Sequence, residues 1–265
     1  MALASRGGGT FRARPPPARH AQSHPSAPGD TPTVIDAVRQ RQNCRDRLVQ
    51  TWPVRPAANH VPALRVWHPP RVTRELYISV DVEPDGHVPG TSSIVSLGAC
   101  AAAVRDDAGA IEALDPEQRT FYAVLRPISD RYVDKALRAT GFERAALERD
   151  GRAPEEALPE FAAWIDRLAA EHDAQPVLAA YPLGFVWQFT QYYLHEYAGR
   201  SPFGQSAHYD MKSAYAALAR SAVRDSIKRR MPSALLGPKD SKTHHALDDA
   251  KGHVDLLVGL LRWHV

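Results

Sequence analysis

One short segment constrains the fold of this chain more than any other, the run Leu76–Glu83, which reads Leu-Tyr-Ile-Ser-Val-Asp-Val-Glu. Its branched and aromatic residues favour a β-strand, and alternate side chains of a strand point to the same face of a sheet. Asp81 and Glu83 are therefore predicted to lie side by side at the end of this strand. Two carboxylates so close repel each other unless a cation lies between them, and oxygen ligands suit Mg²⁺ or Mn²⁺. The alternative is that these acids only mark the solvated end of a strand.

The composition of the chain changes near residue 73. Residues 1–72 contain 11 Arg, no Lys and 3 Asp, a balance of 11 − 3 = +8, together with half of the 22 prolines. Residues 73–265 hold the other 22 basic and 27 acidic residues, a balance of 22 − 27 = −5. The formal charge of +3 therefore comes from the N-terminal segment, and a strongly basic face over the rest of the chain, as in a DNA-coating domain, is not indicated.

Residues 1–72 are predicted to form a disordered Arg- and Pro-rich extension, because most of this segment lacks apolar periodicity. A short polar helix is predicted at Thr33–Gln50, where a thin apolar stripe recurs. The arginines could add non-specific affinity for nucleic acid by releasing counterions. A solvated tail without a partner is the alternative.

Residues 73–265 have the pattern of one folded domain. Three segments with strand character follow one another across turn-rich connections, which is typical of an antiparallel meander. Segments with helical periodicity follow, with one more short strand among them. The order predicts an α/β domain of three layers, a mixed sheet covered by helices. The strands are predicted at Leu76–Val82, Ile94–Val104, Thr120–Leu125 and Pro176–Ala180, and the longer helices at Pro154–Ala170, Phe185–Tyr197, Met211–Ala222 and Leu247–Trp263.

Several protein classes find no support in the sequence. No apolar run approaches the roughly 18 residues of a membrane span, and the N-terminus lacks the layout of a secretory signal. The two cysteines, Cys44 and Cys100, indicate neither a disulfide framework nor a thiolate zinc site. Gly-x-Ser-x-Gly, Gly-Lys-Ser/Thr and Gly-x-Gly-x-x-Gly motifs are missing. We therefore expect a cytoplasmic protein that uses none of these chemistries.

A second acidic segment lies near the C-terminus and reads His-His-Ala-Leu-Asp-Asp-Ala from His244. A helix is predicted to begin near Ala246, so that Asp249 faces inward one turn later and His244 lies on the preceding loop. Histidine changes its charge near neutral pH, which suits a general base that activates water. The alternative is a helix N-terminus whose acids interact with the helix dipole, and this is what we expect of Asp248.

The two segments together resemble the first and third motifs of the DEDDh family of 3′–5′ exonucleases, which includes polymerase proofreading exonucleases and oligoribonuclease. The first motif, Asp-x-Glu, is matched by Asp81 and Glu83, and the third, His-x-Ala-x-x-Asp, by His244, Ala246 and Asp249. The resemblance covers about residues 74–263 and implies an RNase H-like fold. It also implies that Asp81, Glu83 and Asp249 bind Mg²⁺ or Mn²⁺, two ions in the family, with Asp81 shared. His244, rather than His245, would be the general base.

The second family motif departs from this pattern. It usually reads Phe-Asp-x-x-Phe at a helix start, whereas here Val186 stands between Phe185 and the next frame residue, Phe189. Valine offers no lone pair to a metal. Glu196 lies nearly three helical turns further on and is a poor substitute, and the sequence does not decide whether Asp210 approaches. Three acids could hold one ion, so reduced or absent activity is one expectation.

The function expected from the resemblance is hydrolysis of terminal phosphodiesters at the 3′ end of single-stranded DNA or RNA, with release of nucleoside monophosphates. The basic residues Lys228–Arg230, Lys239 and Lys242 could hold backbone phosphates, or they could form a solubilising surface loop. Two other functions stay open. The chain could be a catalytically impaired member that binds nucleic acid or a protein, or a phosphohydrolase that acts on free nucleotides.

Overall fold

The structure, a computed structural model, describes residues 74–237 and 244–263 of the chain. The extension predicted at residues 1–72 lies outside the described residues, and so do Lys239 and Lys242. Within the described ranges, every helix falls short of the length and apolarity that a membrane span requires.

The described strands form one mixed sheet of six strands. The strand order is β3-β2-β1-β5-β6, with β4 also paired to β2. Strands β1, β2 and β4 pair antiparallel, which confirms the predicted meander, whereas β5 runs parallel to β1 and β6 parallel to β5. The strands are β1 (Glu75–Pro84), β2 (Ile94–Arg105), β3 (Ile111–Ala113), β4 (Thr120–Val124), β5 (Gln175–Ala180) and β6 (His208–Asp210).

The helices follow the predicted periodicity with two differences. The helix predicted over Met211–Ala222 ends at Leu218. A single C-terminal helix over Leu247–Trp263 was expected, and this is wrong because the helix breaks at His253 into two pieces. Gly252 precedes the break, and glycine has a low helix propensity. The described helices are α1 (Asp134–Thr140), α2 (Arg144–Asp150), α3 (Pro154–Glu171), α4 (Leu183–Ala198), α5 (Met211–Leu218), α6 (Ser233–Leu236), α7 (Ala246–Gly252) and α8 (Val254–Leu261), with a 3₁₀ helix at Lys228–Arg230.

Strand β1 separates two apolar layers because its side chains alternate between the faces of the sheet. Every second residue, from Leu76 to Val82, packs in the cluster that contains Phe161 of α3 and Phe189 of α4. Tyr77, on the opposite face, packs in the cluster that contains residues of α5 and α8. The result is the predicted three-layer α/β domain. By the same alternation, Ser79, Asp81 and Glu83 share the face of Tyr77.

Candidate metal centre

The acids of β1 and α7 meet at the end of β1. One carboxylate oxygen from each of Asp81, Glu83 and Asp249 can be chosen so that the three atoms lie within 4.8 Å of one another. The alternation along β1 puts the first two on one face, and the first turn of α7 carries the third to them. These three acids thus lie close together in the folded chain, although Asp249 lies 166 positions after Glu83 (249 − 83).

Helix α7 lies directly on the sheet because β2 has a glycine opposite Asp81. Gly98 pairs with Asp81 in the β1–β2 register. A Cβ atom at Gly98 would lie 2.2 Å from the backbone nitrogen of Leu247 and 2.4 Å from its Cα atom. Ala246 and Ala250 on α7 are fully buried. Small residues on both elements therefore permit the backbone approach that brings Asp249 to the acids of β1.

A buried hydrogen bond fixes the other end of this contact. The hydroxyl of Ser79 donates to the backbone carbonyl of Ala250 over 2.7 Å. Ser79 lies two residues before Asp81, and Ala250 directly follows Asp249. The bond therefore ties the two acid-bearing segments together next to the acids themselves.

The two adjacent histidines have different surroundings. His244 lines the pocket above the acids, and its Nδ1 atom lies 3.8 Å from Oε1 of Glu83. The ring of His245 instead stacks on Tyr122 of β4, with centroids 4.5 Å apart, and its Nδ1 accepts a long hydrogen bond of 3.4 Å from the backbone of Asp248. His245 thus caps α7, and His244 is the one of these two histidines that lines the pocket with the carboxylates.

The electrostatics of the three acids favour a bound cation. Burial raises the pKa of Asp81 well above its usual value, and the negative charges of Glu83 and Asp249 raise it further. A backbone hydrogen bond at Val82 and the positive charge of Lys228 lower the pKa in part. Protonation or a cation would relieve this repulsion. The donor set consists of carboxylate oxygens, which fits Mg²⁺ or Mn²⁺ rather than a soft metal.

The pocket around the acids also contains residues that the sequence did not point to. Tyr181 follows β5, and His253 lies at the break between α7 and α8. Lys228 belongs to the basic stretch whose role the sequence leaves open, and it lies in the wall of this pocket. In the sequence, only Gly252, which has a low helix propensity, indicates that a helix could break near His253. The residues that line the pocket are Asp81, Val82, Glu83, Tyr181, Pro182, Phe185, Lys228, His244, Asp249 and His253.

The helix that would carry a fourth acid presents an apolar side chain. Val186 lies in the first turn of α4, is 2% exposed, and packs in the cluster that contains Phe161 and Phe189. Phe185 lines the pocket. In the described part of the chain, the acidic cluster beside this helix comprises three carboxylates.

The acids considered as substitutes lie elsewhere. Asp210 ends β6, and its Oδ1 atom accepts hydrogen bonds from the backbone nitrogens of Leu183 and Lys212, both over 3.2 Å. It therefore fixes the start of α4 and caps α5. Glu196 is exposed near the far end of α4. Neither residue belongs to the acidic cluster.

The described side chains of the basic stretch lie in two places, the pocket wall and the surface. Lys228 lines the pocket, whereas the neighbouring Arg229 and Arg230 are exposed. Arg230 forms an ion pair with Asp225. Of the described members of this stretch, Lys228 is thus the one that reaches the acids.

Comparison with known proteins finds an exonuclease relative of this chain. No protein-family model matches the chain. Over 186 residues the chain is 32% identical to the 3′-5′ DNA exonuclease Cap18 of Escherichia coli, an alignment that covers 70% of this chain and 91% of that protein.

Solved structures agree in fold. The nuclease domain of 3′hExo, a DEDDh family member bound to rAMP, superposes with a TM-score of 0.52 at 14% identity and covers 72% of this chain and 92% of that one. A 3′-exonuclease that recognises the 3′ end of the histone mRNA stem-loop superposes with a TM-score of 0.51 at 15% identity, covering 72% and 82%. The three-layer domain is therefore RNase H-like. The chain is 32% identical to Cap18 over nine-tenths of the length of that protein. The chain therefore belongs to the DEDDh family of 3′–5′ exonucleases, which are phosphodiester hydrolases.

Proposed function

We propose that the chain is a metal-dependent 3′–5′ exonuclease that hydrolyses terminal phosphodiesters of single-stranded DNA or RNA and releases nucleoside monophosphates. The observation that carries the proposal is the cluster of Asp81, Glu83 and Asp249, whose ligand atoms lie within 4.8 Å of one another, beside His244. DNA is the first substrate to test, because the relative Cap18 is named a DNA exonuclease. A cytoplasmic location is proposed on the sequence arguments alone.

Asp81, Glu83 and Asp249 would hold Mg²⁺ or Mn²⁺. When bound, such an ion makes water a better nucleophile and neutralises charge on the phosphate that is attacked. Burial first, and then the like charges of Glu83 and Asp249, raise the pKa of Asp81. A cation would relieve this repulsion.

His244 would act as the general base. Its imidazole accepts a proton from the attacking water, whose oxygen forms a bond to phosphorus while the bond from phosphorus to O3′ breaks, and the leaving O3′ takes a proton from solvent. Glu83 lies 3.8 Å from Nδ1 of His244. Its negative charge would stabilise the imidazolium that forms.

Replacing His244 should affect catalysis far more than replacing His245. We expect His244→Gln to lower kcat by about 10²-fold or more, the contribution of a positioned general base. His245→Gln should keep kcat within a few-fold and lower stability by about 1 kcal/mol or less, because it weakens a helix cap. Initial rates on a single-stranded oligonucleotide, with thermal unfolding of both variants, measure this difference. Equal losses of kcat would show that His244 has no special role.

The wild-type chain tests the proposal directly. On a 5′-labelled single-stranded oligonucleotide with Mg²⁺ or Mn²⁺, we expect a ladder that shortens one nucleotide at a time from the 3′ end, and full inhibition by a chelator. Matched DNA and RNA strands rank the two substrates, and free nucleotides test the other hydrolase activity. No shortening with either ion, on either strand, would reject the proposal.

A second candidate function is binding of nucleic acid or a protein without cleavage, and the apolar side chain of Val186 favours it. The two candidates differ in their response to Val186→Asp. Position 186 lies in the first turn of α4, directly after Phe185, which lines the pocket. The N-terminal end of α4 also favours a negative charge.

For an active chain we expect Val186→Asp to raise activity about tenfold at limiting metal, because another carboxylate strengthens ion binding, and to lower the stability of the metal-free protein, because the new acid is buried. Val186→Asn is the matched control, since it adds a polar group of the same shape without the charge. A wild type that binds oligonucleotides equally well with and without chelator, and a folded Val186→Asp variant that still does not cleave, would favour the binding role.

A further inference from the structure

Lys228 brings a positive charge to the wall of the acidic pocket. Among the described residues that line this pocket, it is the one with a Lys or Arg side chain. Asp81, Glu83 and Asp249 line the same pocket. Lys228 is also half-buried, whereas Arg229 next to it is exposed. Lys228 therefore lies in the pocket wall, whereas Arg229 lies on the exposed surface.

The segment that carries Lys228 is fixed against β5. The ammonium group lies over the ring of Tyr181, 5.6 Å from its centroid, a cation–π contact. The hydroxyl of Tyr181 donates to the backbone carbonyl of Ser226 over 2.8 Å. Ser226 is fully buried, and its own hydroxyl donates to the carbonyl of Ala222 over 3.0 Å. These contacts hold the lysine in place before any ligand arrives.

The charges of the pocket show what the lysine contributes. Three carboxylates carry −3, and one divalent ion leaves −1, which would repel the negative phosphodiester of a substrate. The ammonium of Lys228 brings this sum to zero. Tyr181, on which the lysine rests, directly precedes the turn into α4, where Val186 adds no charge. The lysine therefore belongs to the side of the pocket that lacks a fourth acid.

We propose that the ammonium of Lys228 binds the non-bridging oxygens of the scissile phosphate and supplies positive charge opposite the metal-binding acids. This inference rests on the proposed nuclease function and assigns a substrate-binding residue to the same site. Lysine acts on phosphate as a compact point charge with three rotatable donors. In a pocket partly screened from water, such a charge stabilises the phosphate more strongly than it would on an open surface.

Binding of 5′-dAMP to the full chain tests the role of Lys228 without relying on turnover. In the presence of Mn²⁺, measured by titration calorimetry, we expect Lys228→Met to weaken binding roughly tenfold, the scale of one charge-assisted contact. Lys228→Arg should stay within about threefold of the wild type because it keeps the charge. Arg229→Met is the matched control, since it removes one positive charge from the same 3₁₀ helix but outside the pocket wall. Thermal unfolding checks that each variant folds.

The results separate the inference from the proposed function. A large loss in Lys228→Met together with a loss of less than about twofold in Arg229→Met supports the contact. Equal losses in both variants, unchanged affinity in Lys228→Met, or a wild type that does not bind 5′-dAMP would overturn it. Oligonucleotide cleavage by the wild type is scored separately. If the wild type cleaves and Lys228→Met binds 5′-dAMP with unchanged affinity, only the phosphate-binding role of Lys228 is rejected. If binding depends on Lys228 but the wild type does not cleave, only the nuclease function is rejected.

Discussion

Asp81→Asn should lower the nuclease activity about 10³-fold and raise the unfolding temperature of the metal-free protein. The loss follows because this carboxylate of the cluster would no longer bind an ion, and losing one electrostatic contributor to a transition state costs about 10²–10³-fold. The gain follows because asparagine keeps the shape of the side chain without its charge. Activity and stability should therefore change in opposite directions.

The sign of the stability change comes from the surroundings of Asp81. Burial first, and then the charges of Glu83 and Asp249, raise the pKa of Asp81. The charged carboxylate is thus less favourable in the folded chain than in the unfolded one. As the pH rises above the usual carboxyl range, the folded state still holds a proton that the unfolded state has released, so the metal-free wild type loses stability. The Asp81→Asn variant does not lose stability in this way. The difference in stability between this variant and the wild type should therefore grow as the pH rises over this range.

Thermal unfolding with and without Mn²⁺ measures the effect. Added Mn²⁺ should raise the unfolding temperature of the wild type, because the ion binds the folded state, and should raise that of Asp81→Asn much less. Asp248→Asn is the control, since Asp248 is an exposed neighbour outside the acidic cluster. An Asp81→Asn variant that keeps its activity, or that unfolds at a lower temperature without metal, would contradict the assignment.

Gly98→Ala should impair both the fold and the activity, although it adds a single methyl group. The new Cβ atom would lie 2.2 Å from the backbone nitrogen of Leu247, and backbone cannot rotate away as a flexible side chain can. Helix α7 must therefore move off β2 and carry Asp249 with it. We expect a cost of about 1–3 kcal/mol from overpacking and a loss of roughly 10²-fold in kcat, as a shift of about 1 Å at a reacting group can cause.

Chemical denaturation and initial rates test Gly98→Ala. Gly184→Ala is the matched control for stability, because a Cβ atom at Gly184 in α4 would meet nothing within 4 Å. That variant should keep or slightly raise the free energy of unfolding, since alanine favours the helix. If Gly98→Ala unfolds like the wild type, α7 does not rest on β2 as closely as these contacts require.

Local sequence patterns predicted much of the fold. The branched and aromatic residues of β1, the apolar run of β2, the alternation in β4 and the turns between them predicted the meander. Strands β3 and β6 were missed, since three residues show no period. The C-terminal break was missed as well, because apolar periodicity continues across His253 and only Gly252 interrupts it.

The sequence by itself determined the local placement of the acids and the histidine of the candidate site. The spacing of Asp81 and Glu83 puts both on one strand face, and the spacing of His244 and Asp249 puts a histidine ahead of a helix with an inward acid one turn later. These relations are local, so the geometry of one strand or one helix suffices to predict them.

The tertiary structure alone decided how these residues meet and what else lies among them. Gly98 and Ser79 carry no chemistry in the sequence, yet one admits the backbone of α7 and the other ties it to β1. In the sequence, Lys228 is one of five basic residues whose role stays open, and its packing against Tyr181 distinguishes it from the exposed Arg229. Close approach and charge balance depend on segments distant along the chain, and their contact arises only when the apolar faces of the sheet are buried.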